Sequence, residues 1–320
     1  MLFRSDVGGV TCLILGTNPA RRRRGAAVSI RRPEDFTHHE QQLPGVRLHY
    51  VREGSGPTLV LLHGWPGFWW EWHKVIGELA GGFDVIVPDL RGYGDSEKPD
   101  LDDPSLYGAE HAIDDIDALL DALGVDRAYV VGHDWSAILM HKFVRKYRHR
   151  VIRAMTFDPI TPDFGPFYLG FPHMAESWYS QFHQTDMSVE LVTSSREACG
   201  IYFRHFLDYW AYAPPLLSAE EEEIYLDNFM KPGNVHGGFN WYRANLSVTS
   251  APFTQLDHTV SDVPITFLHG MGDPVVPSSV SVHVPKYYSN YTMEYVPDCG
   301  HYAMVEKPDL VIDRIRATFV

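Results

Sequence analysis

VVGHDWS, residues 130–136, is the stretch that decides the fold. Tyr129 to Val131 reads as a buried strand, and Ala137 to Tyr147 reads as a helix. Gly132-His133-Asp134-Trp135-Ser136 joins them, with small residues at both ends of the join. A strand-to-helix turn this tight lifts one side chain above the end of a sheet. The lifted residue in such a turn is usually Ser, and here it is Asp134. A serine oxygen suits attack on a carbonyl carbon. A carboxylate instead displaces a leaving group from a saturated carbon and becomes an alkyl ester. Asp134 therefore points to opening of an epoxide or removal of a halide, not to cleavage of an ordinary ester. A plain structural role is the alternative, with Asp134 capping the following helix.

Three further stations follow apolar strand-like runs. Thr58 to Leu62 (TLVLL) ends at His63-Gly64-Trp65-Pro66. The backbone N–H groups of Trp65 and Trp135 are candidates to hold one oxyanion between them. Pro264 to Leu268 (PITFL) ends at Gly270-Met271-Gly272-Asp273-Pro274, and Tyr291 to Val296 ends at Asp298-Cys299-Gly300-His301. Nucleophile, acid and histidine in that chain order are the order of elbow hydrolases. His301 is the candidate base on water, and Asp273 the candidate partner that fixes its tautomer. Asp158, just past the apolar run near Val151 to Phe157, is the alternative acid. The glycines flanking Asp273 suit a loop that must reach the histidine.

Strands alternating with helices imply an α/β fold with a doubly wound, mainly parallel sheet. Val46 to Glu53 alternates like a strand, and Asp84 to Val87 reads as a buried one. Glu71 to Ala80 and Glu110 to Leu123 read as helices, the second stopped by Gly124. The rhythm breaks at Pro159. From there to about Leu256 the chain is aromatic and helix-like, with loops expected at 162–172, 213–215 and 231–238. Sheet rhythm then resumes and ends in a helix over 308–319. The expected division is a core over 30–159, a helical cap over 160–256 that covers the strand ends where such sheets bind ligands, and the rest of the core over 257–320.

Bulk properties narrow the function. The formal net charge of −14 argues against nucleic acid as a partner. No run is long enough to span a membrane. Three unpatterned cysteines, Cys12, Cys199 and Cys299, point to a reducing compartment without a disulfide framework. No HExxH motif occurs, so the 17 histidines carry no metal signature. Residues 1–32 hold seven arginines against one aspartate. The basic run Arg21 to Arg24 follows the apolar run Val10 to Leu15, the reverse of a signal peptide. Residues 1–29 are therefore expected to be a disordered or non-native extension.

From about Ile30 onward the chain resembles an epoxide hydrolase of the α/β-hydrolase fold, most of all the bacterial soluble epoxide hydrolases of the epichlorohydrin-degrading type. The resemblance rests on LLHGWPGFWWEW (61–72), VIVPDLRGYGDSEKPD (85–100), ESWYSQFHQ (176–184), HGGFNWYRAN (236–245) and DCGHYAMVEKP (298–308). It implies that two cap tyrosines, Tyr179 and Tyr242, hold and protonate the epoxide oxygen. It also implies a cytoplasmic enzyme without cofactor or metal, a monomer or homodimer acting on a small hydrophobic epoxide and water. Trp65, Phe68, Trp135 and Phe164 are candidates to line the pocket, with core packing an equal account of Phe68 and Phe164. A haloalkane or haloacid dehalogenase would share Asp134, His301 and Trp135 but would want a halide clamp in place of the tyrosines. A non-catalytic binding protein for a hydrophobic ligand is the remaining alternative.

Overall fold

The computed structural model describes residues 2–7, 10–15, 30–168, 170, 173–246 and 256–319. Its sheet has ten strands: β1 Leu2–Val7, β2 Val10–Leu15, β3 His38–Leu43, β4 Val46–Gly54, β5 Thr58–Leu62, β6 Asp84–Pro88, β7 Ala128–Gly132, β8 Val151–Thr156, β9 Ile265–Gly270 and β10 Tyr291–Val296. Their spatial order is β1-β2-β10-β9-β8-β7-β5-β6-β4-β3. From β6 to β10 the neighbours run parallel, and β3 and β4 add an antiparallel edge. The inner strands are mostly buried, and β6 and β9 are buried along their whole length. That burial is why they read as continuous Val, Ile and Leu runs. Each such side chain contributes about 1.5–3 kcal/mol when fully buried.

Helices α1 His73–Leu79, α2 Ala109–Ala122, α3 Trp135–Lys146, α10 Ala303–Glu306 and α11 Pro308–Phe319 belong to the core. Helix α2 buries Ile113, Ile116, Leu119 and Leu120 and packs on α3. It ends where Gly124 takes a φ of 68°, a conformation that favours glycine. Between β8 and β9 the described residues form six cap helices: α4 Phe164–Tyr168, α5 Trp178–Phe182, α6 Met187–Thr193, α7 Arg196–Tyr209, α8 Ala219–Phe229 and α9 Asn234–Asn245. Helix α8 starts with a capping box in which Ser218 and Glu221 satisfy each other's backbone N–H. The cap is tied to the core by polar contacts. Trp241 Nε1 donates to the Arg91 carbonyl at 3.0 Å, and the His301 N–H donates to the Trp210 carbonyl at 2.9 Å.

Four segments differ from expectation. Residues 1–29 were expected to be disordered or non-native; Leu2–Val7 and Val10–Leu15 instead pair as a hairpin, and β2 runs parallel to β10 at the sheet edge. Residues 16–29 lie outside the described residues. His38–Leu43 is a strand despite its polar composition, because an edge strand needs few buried side chains; only Leu43 is buried. Helix α4 forms inside the expected 162–172 loop, and α9 begins at Asn234, inside the expected 231–238 loop. The left-handed Gly233 at φ 83° lets that helix start early.

Candidate active site

Strand β7 enters α3 through Asp134, whose backbone sits at φ 53° and ψ −115°. A non-glycine residue held there stores about 1–3 kcal/mol of strain. The surroundings enforce it. A Cβ on Gly132 would come within 2.7 Å of the Ser136 carbonyl oxygen, and a Cβ on Gly64 within 2.3 Å of Asp134 Cβ. Both positions therefore require glycine. The Asp134 N–H donates to Asp158 Oδ2 at 2.6 Å, and Ser136 Oγ donates to the His63 carbonyl at 2.5 Å. The carboxylate itself is met by the Trp65 N–H, which donates to Oδ1 at 2.7 Å. Trp135 is the first residue of α3, so its N–H is one of the donors a helix leaves open at its start.

His301 lies across from this carboxylate. Its Nδ1 contacts Asp273 Oδ2 at 2.8 Å, and its Nε2 stands 3.7 Å from Asp134 Oδ2, without a hydrogen-bond partner among the described residues. The other Asp273 oxygen accepts from the N–H groups of Val275 and Val276 at 2.7 and 3.1 Å. A carboxylate pinned this way presents one fixed oxygen to the imidazole. The Asp158 carboxylate is 3.8 Å from His301 Nδ1 and is committed to the Asp134 backbone. The shorter contact thus belongs to Asp273. Burial pushes the His301 pKa down, but the Asp273 and Asp134 carboxylates more than reverse this and hold it well above the usual imidazole range. Burial raises Asp158, whereas the imidazolium charge of His301 outweighs burial at Asp273 and lowers it.

Behind this group sits a buried pair that the sequence reading did not single out. His133 Nδ1 contacts Glu71 Oε1 at 2.9 Å, and His133 Nε2 donates to the His301 carbonyl at 3.0 Å. Burial disfavours the charged imidazole of His133, and the Glu71 carboxylate more than offsets that and raises its pKa. The available signal was a lone carboxylate inside the aromatic run Trp69 to Trp72, where an unpaired charge would be costly. The clusters His133–Asp158–His301 and Asp158–His269–Asp273 contain metal-binding residue types. Both nitrogens of His133 and both oxygens of Asp273 are already hydrogen-bonded within the protein, so neither residue has an uncommitted ligand atom to offer an ion.

Above Asp134 is a small, partly open cavity of about 30 Å³, lined by Asp134, Trp135, Phe164, Tyr168, Tyr179 and Tyr242 together with aliphatic side chains. Tyr179 comes from α5 and Tyr242 from α9, with ring centroids 5.7 Å apart and planes at 76°. Burial raises both phenols well above their ordinary pKa, and the Asp134 charge adds to the shift. Trp65 stacks on Tyr179 at 5.3 Å and meets Tyr242 edge-on at 5.6 Å. Its ring thus backs the tyrosines rather than lining the cavity. Phe68 does not reach the cavity, contrary to expectation. It packs edge-on against Tyr225 of α8 at 5.3 Å and beside Trp70, so the core account of Phe68 is the right one. Phe164 does line the cavity.

Residues 57–308 match the family model described as alpha/beta hydrolase fold. The soluble epoxide hydrolase of Corynebacterium sp. (strain C12) is 34% identical over 288 residues, 87% of this chain and 96% of that protein. The bifunctional epoxide hydrolase 2 of Mus musculus is 30% identical over 95% of this chain, which spans 61% of that longer protein. The solved structure of the epoxide hydrolase CorEH aligns with a TM-score of 0.77 at 31% identity, covering 89% of this chain and 98% of that one. An elbow with a carboxylate on a capped parallel sheet places the chain in the α/β-hydrolase-fold family. Within that family the chain belongs to the epoxide hydrolases.

Proposed function

We propose that this enzyme converts epoxides to vicinal diols through a covalent ester on Asp134. The observation that carries the reading is one cavity shared by the Asp134 carboxylate and the Tyr179 and Tyr242 phenols. An epoxide carries its own leaving group, but that group departs as a strongly basic alkoxide. Two phenols with pKa near or above ~10 hydrogen-bond the ring oxygen and one supplies its proton. Asp134 attacks the ring carbon from the opposite side, the C–O bond breaks, and a β-hydroxyalkyl ester and a tyrosinate result. His301 then takes a proton from water, which adds to the ester carbonyl carbon. The developing oxyanion is met by the N–H groups of Trp65 and Trp135. Collapse releases the diol, with the His301 proton passing to its oxygen. The proton shed as Asp134 returns to carboxylate replaces the one the tyrosine gave, so the cycle closes without a cofactor. Asp273 orients His301 and stabilises its charged form.

The substrate in this reading is a small epoxide with an apolar substituent, since Ile138, Ile160, Leu246 and Val276 form the aliphatic part of the cavity wall. Among the described residues no helix is long and apolar enough to cross a membrane. Cys199 and Cys299 are buried free thiols, which supports a reducing, cytoplasmic setting. The direct test compares styrene oxide with a 1-haloalkane. Diol release from the first without halide release from the second is expected. Halide release that outpaces diol release would assign the carboxylate to dehalogenation instead.

A further inference from the structure

Tyr168 is a third phenol in the same cavity as Asp134, Tyr179 and Tyr242. Its hydroxyl donates to the Tyr179 hydroxyl oxygen at 2.9 Å, and both side chains are buried. The donor is well held. Tyr168 ends α4, its ring packs against Phe164 at 5.4 Å and His173 at 5.6 Å, and its carbonyl accepts from Ser177 Oγ at 3.1 Å. Tyr179 is fixed separately, by its stack on Trp65. The phenol–phenol contact therefore joins two independently anchored rings across 11 residues of chain.

A phenol oxygen has two lone pairs and one proton. Once Tyr168 donates to it, the Tyr179 oxygen has an acceptor site filled, and its own proton is left to face the cavity. From this geometry we infer that Tyr168 is a positioning residue for ring opening. It aims the Tyr179 proton at the epoxide oxygen, and its donated hydrogen bond stabilises the tyrosinate left when that proton is transferred. Tyr179 is then the phenol that gives up its proton, and Tyr242 the one that holds the oxygen by hydrogen bonding alone. The inference deepens the epoxide-hydrolase reading and rests on it.

A hydrogen bond to a charged group is worth enough to change a rate about tenfold to a hundredfold. The test is Tyr168→Phe, which keeps the ring and removes the donor, followed in single turnovers of styrene oxides with graded ring substituents. The ring-opening rate constant is expected to fall by about tenfold or more, with hydrolysis of the Asp134 ester changed by less than about twofold. The loss should be largest for epoxides that release the most basic alkoxide, because these depend most on the acid. In a Tyr179→Phe background the second substitution should add nothing. Equal slowing of both steps, a loss insensitive to the leaving oxygen, or full additivity with Tyr179→Phe would overturn the role given to Tyr168. If the unsubstituted enzyme forms no ester and opens no epoxide, the function itself fails instead.

Discussion

In the resting enzyme the His301 imidazole faces the Asp134 carboxylate at 3.7 Å. Burial alone would lower its pKa, but Asp273 and Asp134 together hold it well above the usual value. A protonated His301 is no base. Esterification of Asp134 removes one of the three carboxylates, Asp273, Asp134 and Asp158, that favour the imidazolium, so the pKa of His301 should fall when the proposed intermediate forms. In the proposed route the first half-reaction thereby prepares His301 to act as base in the second. The sign of the pH dependence follows. The neutral form of His301 grows as pH rises through its pKa, so ester hydrolysis should accelerate with pH and then level off. Its midpoint should lie below the His301 pKa of the free enzyme, measured by NMR of the ring. Ring opening should show no alkaline loss below about pH 10, since burial keeps both phenols protonated. His301→Gln should form the ester and stall, a mass increase of one substrate that intact-protein mass spectrometry detects. Turnover by that variant, or hydrolysis that slows with rising pH, would remove His301 from the role of base. At this scale the convergence of Asp134, His301 and Asp273 was legible from order and spacing. Glu71 and Tyr168 were not, because their contacts join residues 62 and 11 positions apart with no local pattern to mark them.

The loop from Asp298 to Tyr302 is the element that carries His301. Asp298 has a φ of 53°, so the loop is bent against its own preference and must be held. Glu306 on α10 does the holding. Its carboxylate accepts from the Gly300 N–H at 3.0 and 3.1 Å, the Tyr302 N–H at 3.2 Å and the cap residue Tyr212 N–H at 2.9 Å. The Tyr212 hydroxyl also donates to Asp298 Oδ1 at 2.9 Å. One carboxylate therefore joins the histidine loop to the cap. Glu306→Ala should slow ester hydrolysis more than ring opening and lower stability by about 2 kcal/mol in denaturant unfolding. Glu306→Asp should recover part of both. Equal slowing of the two half-reactions would mean that Glu306 supports the fold without directing His301. The inner strands were legible because burial on both faces writes an apolar run into the sequence. β3 was missed because an exposed edge strand carries no such run, and α4 because five residues with glycine and proline give no helical period.

On the scale of the whole molecule, the parallel sheet brings Asp134, Asp273 and His301 to one end, each just beyond a strand. The insertion between β8 and β9 lays Tyr168, Tyr179 and Tyr242 over that end. Strand rhythm, its interruption and its return made this plan legible in the sequence. The wall of the cavity was less so: Phe164 faces Asp134 while Phe68 supports the core, and nothing in residue type separates them. The account as a whole turns on whether oxygen reaches the diol from Asp134 or from water. A single turnover in oxygen-18 water, with enzyme in excess over styrene oxide, decides it. Unlabelled diol and one heavy oxygen in the peptide that carries Asp134 are the expected result. Heavy oxygen in the diol, with the Asp134 peptide unlabelled, would contradict the covalent route.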